Sequence, residues 1–483
     1  MQIVKVTVCA LGERPVKRSV RLAEPKPIFQ QPLFEPNPAE GTPTTWDPPF
    51  TKVGAILLNH LNTVDRSFAV LSSVPISGID ILFVVLALVH FARKSSRSKI
   101  DSQGRLATPL PMLLLARVSL ISTAFAWFSG MARGGEFGFS LWQCNTVFYL
   151  PIVFLLFHVS LRGPADNEGL TKVVLAAATY KCLLAYYVAH AFTLPMDPET
   201  GSTSPPYGTS HNDSMLFATA FVLVIAPLLD GAGKRAFKMA AGFLPILIMG
   251  TIANNRRLAW VQVGLVFVTV YFVSRETPIK RKIRRVLYGL LPALGIYLML
   301  GWSSQFGKLF KPVRMIRSIV DTKSDLSTEW RELENVNIIA TFRDGTLFGT
   351  GFGHPYKELV VLPHVDYPLE RYTPHNSLLG VWAYEGLIGY AGLTLLWVGG
   401  VYFAMRAYYN GQQRGQRTAG LVCFGTVLVY LLQSWGDLGL GSWTGVFLMG
   451  ASLAMAGKAA TAAGQWVAKD GKPSSQIPRH AAR

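Results

Sequence analysis

The sequence predicts an all-α integral membrane protein of about 11–12 transmembrane helices, with one long polar loop between the spans near 302 and 378. Three observations carry this. Half of the 483 residues are hydrophobic, only 15% are charged, and mean hydropathy is positive, a membrane composition. Apolar runs recur, each near the ~20 residues a bilayer requires. Lysine and arginine gather in alternate short connections between those runs.

Taken in order, residues 1–52 read as a disordered tail, rich in proline between Pro25 and Pro49. No apolar stretch follows the early basic residues, so no cleavable signal peptide is expected. Residues 53–75 carry His60, Asp65 and Arg66 and read either as a poor first span or as an interfacial helix. Clear spans follow near 77–92, 109–129, 141–161, 170–191, 214–229, 237–254, 257–274 and 286–302, completing an N-terminal bundle over 53–302. The loop occupies 303–376. Further spans near 378–405, 418–434 and 441–457 make up the C-terminal helices at 377–457, and 458–483 is a basic cytoplasmic tail.

The basic connections set the orientation. Residues 93–107, 230–238, 275–285 and 406–417 and the tail after Lys458 fall on one side if the spans alternate, and that side is the cytoplasm. Connections 192–213 and 435–440 hold no lysine or arginine. The net charge of +18 is therefore a topology signal and not a nucleic-acid patch. The loop 303–376 lies on the other side yet is basic, with Lys308, Lys311, Arg314, Arg317, Lys323, Arg331, Arg343, Lys357 and Arg371. Long loops are exempt from the charge rule, so the topology stands and an anion is implied. Cys9, Cys144, Cys182 and Cys423 are scattered without metal-binding spacing, and three of them sit in apolar runs as packing residues. No internal repeat is visible.

Several residues suit chemistry on an anionic lipid. Arg256 and Arg257 stand in A-N-N-R-R-L-A-W between two apolar runs. Either they snorkel to headgroups or they clamp a diphosphate, whose oxygens fit the guanidinium fork. Arg331 falls in a helix expected over 328–341 with Thr328 or Ser327 as N-cap. It is either a solvated arginine paired with Glu332 or Glu334, or a phosphate ligand; Arg343 is a weaker case of the same kind. Gly349, Gly351 and Gly353 allow close backbone approach, but G-T-G-F-G lacks the strand-to-helix setting of a dinucleotide site. His375, followed by Asn376, closes the loop. It is either a capping residue or a base and hydrogen-bond partner for an acceptor hydroxyl. His211 and Asn212 precede another span on the same side, as a loop cap or facing the same cavity. Lys181 lies in mid-span, where it either binds an anion or is paired with a buried acid. His158 and His190 read as packing or interfacial residues. Asp437, in the turn S-W-G-D-L-G, caps a helix or faces the cavity.

Polytopic spans, then R-(x)17-G-x-G-x-G in a long loop, then H-N-(x)8-E-G-x-x-G opening the next span, resemble the O-antigen ligase and polymerase superfamily. Here the pattern is Arg331, Gly349, Gly351, Gly353, His375, Asn376, Glu385, Gly386 and Gly389. G-T-S-H-N-D-S-M-L-F and N-N-R-R resemble that family's loop-to-span entry and arginine hairpin. The resemblance covers roughly 205–390 and extends beyond by span count alone. It implies a membrane-embedded, inverting glycosyltransferase in the bacterial inner membrane, its active site facing the periplasm, using no nucleotide sugar, metal or other cofactor. The implied donor is an oligosaccharide on a polyprenyl diphosphate. The implied acceptor is a hydroxyl on lipid A core, on another lipid-linked repeat unit, or on a protein side chain. Membrane lipids and chain-length regulator or export proteins are the further partners it suggests. By position, Arg256 or Arg257 and Arg331 hold the diphosphate, and His375 orients or deprotonates the acceptor. Two departures stand out: Arg257 occupies a place usually held by a small residue, and Asn335 one usually held by an aromatic.

The chemistry is coherent on physical grounds. A diphosphate is a good leaving group, so stabilising its developing charge is the main demand. A nearby imidazole adds base catalysis of about 10²–10⁴-fold, and a long loop can close over both substrates. The reading is of a polysaccharide polymerase or an O-antigen ligase, with the N-N-R-R-L-A-W variant resembling polysaccharide-cluster members. A non-catalytic lipid-linked oligosaccharide transporter, with Lys181 and the arginines as a path, requires broken spans in matched halves, and the sequence shows no such symmetry. A sensor or scaffold would carry a soluble domain.

Overall fold

An apolar run inside a bilayer finds no water for its backbone and folds as a helix. The computed structural model describes residues 106–191, 211–254, 256–304, 326–362 and 371–466, with short pieces at 5–7, 17–19, 84–86, 88–89, 310, 313 and 317. In the N-terminal unit, β1 (Lys5–Thr7) and β2 (Lys17–Ser19) pair antiparallel, with Lys5 opposite Ser19. The remainder of the tail expected over 1–52, and the segment 53–75, lie outside the described residues.

Among the described residues of the other unit, the regular structure is helical. Its elements are α1 (Leu110–Ala132), α2 (Phe137–Ser160), α3 (Asp166–Ala191), α4 (His211–Leu229), α5 (Gly233–Asn254), α6 (Arg257–Val273), α7 (Pro278–Trp302), α8 (Leu326–Asp344), α9 (Ser377–Asn410), α10 (Arg414–Gly436) and α11 (Trp443–Ala462). All but α8 fall on spans expected from the sequence. The span at 77–92 is helical at 84–86 and 88–89, and its other residues lie outside the described set. Among the described residues, eight helices are long and apolar enough to cross a membrane. The all-α polytopic architecture stands. Of the remaining three, α8 belongs to the loop, α6 has 17 residues and α3 carries Asp166, Glu168, Lys172 and Lys181.

Local sequence fixes the helix starts. The Thr277 hydroxyl accepts from Lys280 N at 3.1 Å to begin α7, with Pro278 following where no amide hydrogen is needed. Ser442 does the same for α11 through Gly445 N. α8 is a correction to the expected 328–341. It already begins at Leu326, so Ser327 and Thr328 lie in its first turn. Pro151, Pro227, Pro245 and Pro292 sit inside α2, α4, α5 and α7, tolerated where neighbouring helices re-satisfy the freed backbone.

α4, α10 and α11 form the centre, with most of their apolar windows buried, whereas the apolar window of α7 buries no residue. Small residues let backbones close in, as expected where packing and not hydrophobicity holds helices together. A Cβ at Gly450 of α11 would meet Val153 Cγ1 of α2 at 2.7 Å. One end of the bundle gathers the basic connections. There Arg417 pairs with the buried Asp230 at 3.4 Å, Arg275 N donates to the Tyr408 hydroxyl at 2.6 Å, and Lys458 reaches the carbonyl of Leu106. His158 bonds Thr108 there, at 2.7 Å. Desolvation pushes the Asp230 carboxyl up despite Arg417. The loop between α7 and α9 lies at the opposite end.

Candidate functional site

At that opposite end α9 is broken. Gly386 has φ 68° and ψ −177°, so two rungs of the helix ladder cannot form. Ala383 O and Tyr384 O would ordinarily accept from Leu387 N and Ile388 N. Here they accept from Thr350 N and Gly351 N, each at 2.9 Å. The released donors Leu387 N and Ile388 N bond Thr346 O at 2.8 Å and Leu347 O at 3.2 Å. The segment 346–351 thus replaces a turn of α9, rung for rung. Gly349, Gly351 and Gly353 all have positive φ, at 67°, 82° and 93°. The glycine run seats loop backbone against helix backbone. Glu385, 3% exposed, sits at the break.

The same loop is fixed to α1 and α2. Arg133 donates to Gly349 O at 2.9 Å. The Gln143 amide donates to His354 O and Tyr372 O, both at 2.9 Å, and accepts from Gly353 N. Tyr372 stacks on Phe139 with centroids 4.0 Å apart, and its hydroxyl donates to Glu136 at 3.0 Å. Burial and Glu136 push that phenol up to about 12. Tyr384 donates to Tyr372 O at 2.9 Å. These bonds hold the chain three residues before His375.

α8 holds the other side of His375. It seats on α9 through Trp330, Ile338, Tyr356, Leu362 and Ala383 and through a Phe342–Trp382 stack. Asn337 clamps residue 360 by two bonds, at 2.7 and 2.8 Å. Glu334, fully buried, accepts from His375 N at 3.0 Å and lies 3.4 Å from His375 Nδ1. Trp330 packs edge-on against the imidazole at 4.9 Å. The His375 side chain retains 26% exposure. A carboxylate on Nδ1 of a side chain that is still partly exposed is the arrangement of an oriented base.

A chain of contacts links this corner to the other candidates. Asn376 caps α9, its Oδ1 accepting from Leu379 N at 3.2 Å. The Ser377 hydroxyl donates to Ser434 O and Asp437 O, at 3.0 and 3.3 Å. Asp437 follows α10, is buried, and accepts from Leu438 N, so it closes its own turn. Gly436 faces Leu258, with a Cβ there 2.9 Å from its Cδ1. That brings up the start of α6, where Arg256 is the N-cap and Arg257 the first residue, both partly buried. Asn254 donates to the Ser214 hydroxyl at 3.0 Å. Beside Ser214, Asp213 pairs with Lys181 at 3.3 Å.

His375, Asn376, Arg256, Arg257, Lys181 and the start of α4 therefore share one end of the bundle. Arg331 is partly buried, one turn from Glu334 on α8. Arg343 stands exposed in the last turn, nine residues or about 14 Å along the axis from Glu334, and is not gathered with the others. His211 opens α4, and its side chain, like that of His190, lies outside the described residues. Glu334 is the functional residue that sequence reasoning undervalued, as a salt-bridge partner for Arg331. The signal was present: Trp330, Glu334, Asn337 and Thr341 follow a helical stripe, which places Glu334 on the inner face. Gln143 and Asp213 carried no such pattern.

A family model for O-antigen ligase matches residues 242–394. Over these residues the chain is similar to the O-antigen ligase family. The match runs from α5 through the break in α9, and so takes in Arg256, Arg257, Arg331, Glu334, the glycine run and His375. No curated protein matches the chain. The match supports the O-antigen ligase and polymerase superfamily, and with eight membrane-length helices describes a multi-pass bacterial membrane protein of glycosyltransferase-like character.

Proposed function

We propose that the chain transfers a glycan from a polyprenyl diphosphate to a sugar hydroxyl at the periplasmic face of the inner membrane. The observation that carries this reading is His375, held by buried Glu334 at the end of the bundle where Arg256 and Arg257 stand. An ionised Glu334 only accepts, so Nδ1 donates to it and Nε2 keeps its lone pair. Nε2 takes the acceptor proton as the acceptor oxygen attacks the anomeric carbon. The bond from that carbon to the diphosphate oxygen breaks, and the polyprenyl diphosphate leaves with the electron pair. Attack opposite the leaving group inverts the anomeric configuration. Arg331 and Arg256 or Arg257 stabilise the departing charge through guanidinium hydrogen bonds, which places no demand on a divalent ion. Asn376 and the start of α4 near His211 border the acceptor. The orientation follows the basic residues, which collect at the other end of the bundle.

The test begins in cells lacking the gene, with lipid-linked glycans sized by mass spectrometry. Single repeat units accumulating on the carrier identify a polymerase. Finished polymer on its carrier with bare acceptor identifies a ligase. An unchanged pool overturns the transferase reading and leaves the transporter. For the purified protein, transfer persists in EDTA and is lost in His375→Ala at unchanged membrane abundance.

A further inference from the structure

A cavity of about 290 Å³ opens within the membrane-spanning part of the bundle, between α3, α4, α10 and α11. Its walls are regular. On α3, Leu170, Val174 and Ala177 line it, and the next residue on that stripe is Lys181. On α4, Leu223, Thr219 and Leu216 line it, and Asp213 stands one turn before Leu216. Lys181 and Asp213 form the 3.3 Å ion pair described above; neither lines the cavity itself, and the pair stands one turn beyond Ala177 and Leu216, as a charged mouth on the His375 side of the groove. Along α11 its lining runs from Thr444 to Met455, eleven residues or about 16 Å of bilayer depth. Val173, beside it on α3, is 68% exposed, so the groove has a lateral opening.

The volume is at the small end of ligand pockets, about 300–1,000 Å³, and the length suits part of one extended hydrocarbon chain. The mouth decides which chain. Lys181 has three N–H donors, and the pair with Asp213 leaves its side chain 23% exposed. One donor can thus serve a phosphate oxygen while Asp213 holds the ammonium in place. Asp213 adjoins Ser214, which Asn254 bonds two residues before Arg256, so groove and arginine hairpin are continuous.

We propose that this groove berths the first isoprene units of the lipid diphosphate, with Lys181 as a phosphate contact at its mouth. The proposal rests on the transferase reading and adds where the carrier lies. The test uses the full-length protein in nanodiscs with two donors, the same glycan on a long polyprenyl diphosphate and on a short, water-soluble isoprenyl diphosphate. Ala177→Trp and Thr219→Trp fill the groove; Leu265→Trp on lipid-facing α6 is the control. The filled variants are expected to lose about tenfold or more with the long donor and to match wild type with the short one. Equal use of the long donor by wild type and filled variants overturns the groove. A polyprenyl diphosphate carrying a diazirine in its first isoprene units should label α3 and α11. Labelling that phosphatidylglycerol competes away, or that falls only on helices outside α3, α4, α10 and α11, overturns the groove even if the filled variants fail to fold. Transfer from neither donor by wild type overturns instead the transferase reading itself.

Discussion

Gly349 and Gly386 meet backbone to backbone. A Cβ at Gly386 would stand 2.3 Å from Gly349 N, and one at Gly349 would stand 2.2 Å from Tyr384 O. Both glycines also have positive φ, at 67° and 68°. Alanine at either position faces strain and a clash together, about 1–3 kcal/mol each. Gly386→Ala is expected to lower the melting temperature in detergent and to abolish transfer, with the protein still inserted. Full activity in Gly386→Ala would show that the loop does not need this seat.

Glu334 acts through His375. Glu334→Gln keeps shape and burial but can present an N–H to Nδ1, favouring the wrong imidazole tautomer. A fall in kcat of about 10²–10⁴-fold, with donor KM little changed, is expected. A change in KM alone would reduce Glu334 to a packing residue.

The two loop arginines separate cleanly. Arg331 shares a turn of α8 with Glu334, whereas Arg343 is exposed at its far end. Arg331→Ala is expected to cost about 10²–10³-fold in transfer, and Arg343→Ala less than about threefold, as for surface changes. Equal losses, measured with one donor and acceptor pair, would remove Arg331 from the site.

Tyr372 gives the loop an alkaline limit. Its phenol is raised from about 10 to about 12, by burial first and then by Glu136. A folded value above the unfolded one means the stabilisation is complete below pH 10 and is lost as pH rises towards 12. Tyr372→Phe lacks the hydrogen bond and should melt earlier at pH 8, by about 1 kcal/mol. The gap between wild type and variant is expected to close above pH 10. A gap that stays constant to pH 12 would mean that the phenol is not anchored as described.

The helices were legible because hydropathy is a one-dimensional signal. The runs at 109–129 and 418–434 could be read without knowing what they touch. His375 and the arginines were legible as chemistry displaced from ordinary membrane composition. What escaped was everything that depends on a partner distant in sequence. Lys181 could not be assigned until Asp213, on another helix, stood 3.3 Å away. Gln143 looked like one polar residue in an apolar span, yet it ties together segments more than two hundred residues later. The glycine run was read as allowing close backbone approach, which the structure shows, but the surface it approaches, a helix break in α9, is visible only in the backbone of α9.

The exchange of rungs at the break has a consequence for assembly. Residues 346–351 leave the ribosome before α9, so their amides and carbonyls wait for partners not yet made. The two halves of α9 in turn cannot satisfy Ala383 O and Tyr384 O alone. Neither piece is complete without the other, and both complete in one docking event. That event also brings His375, which lies between them in the chain, against Glu334. The docking of residues 346–351 on α9 and the formation of the His375–Glu334 pair are therefore one step in the maturation of the protein, and a chain that fails it carries an unfinished helix that quality-control proteases can find.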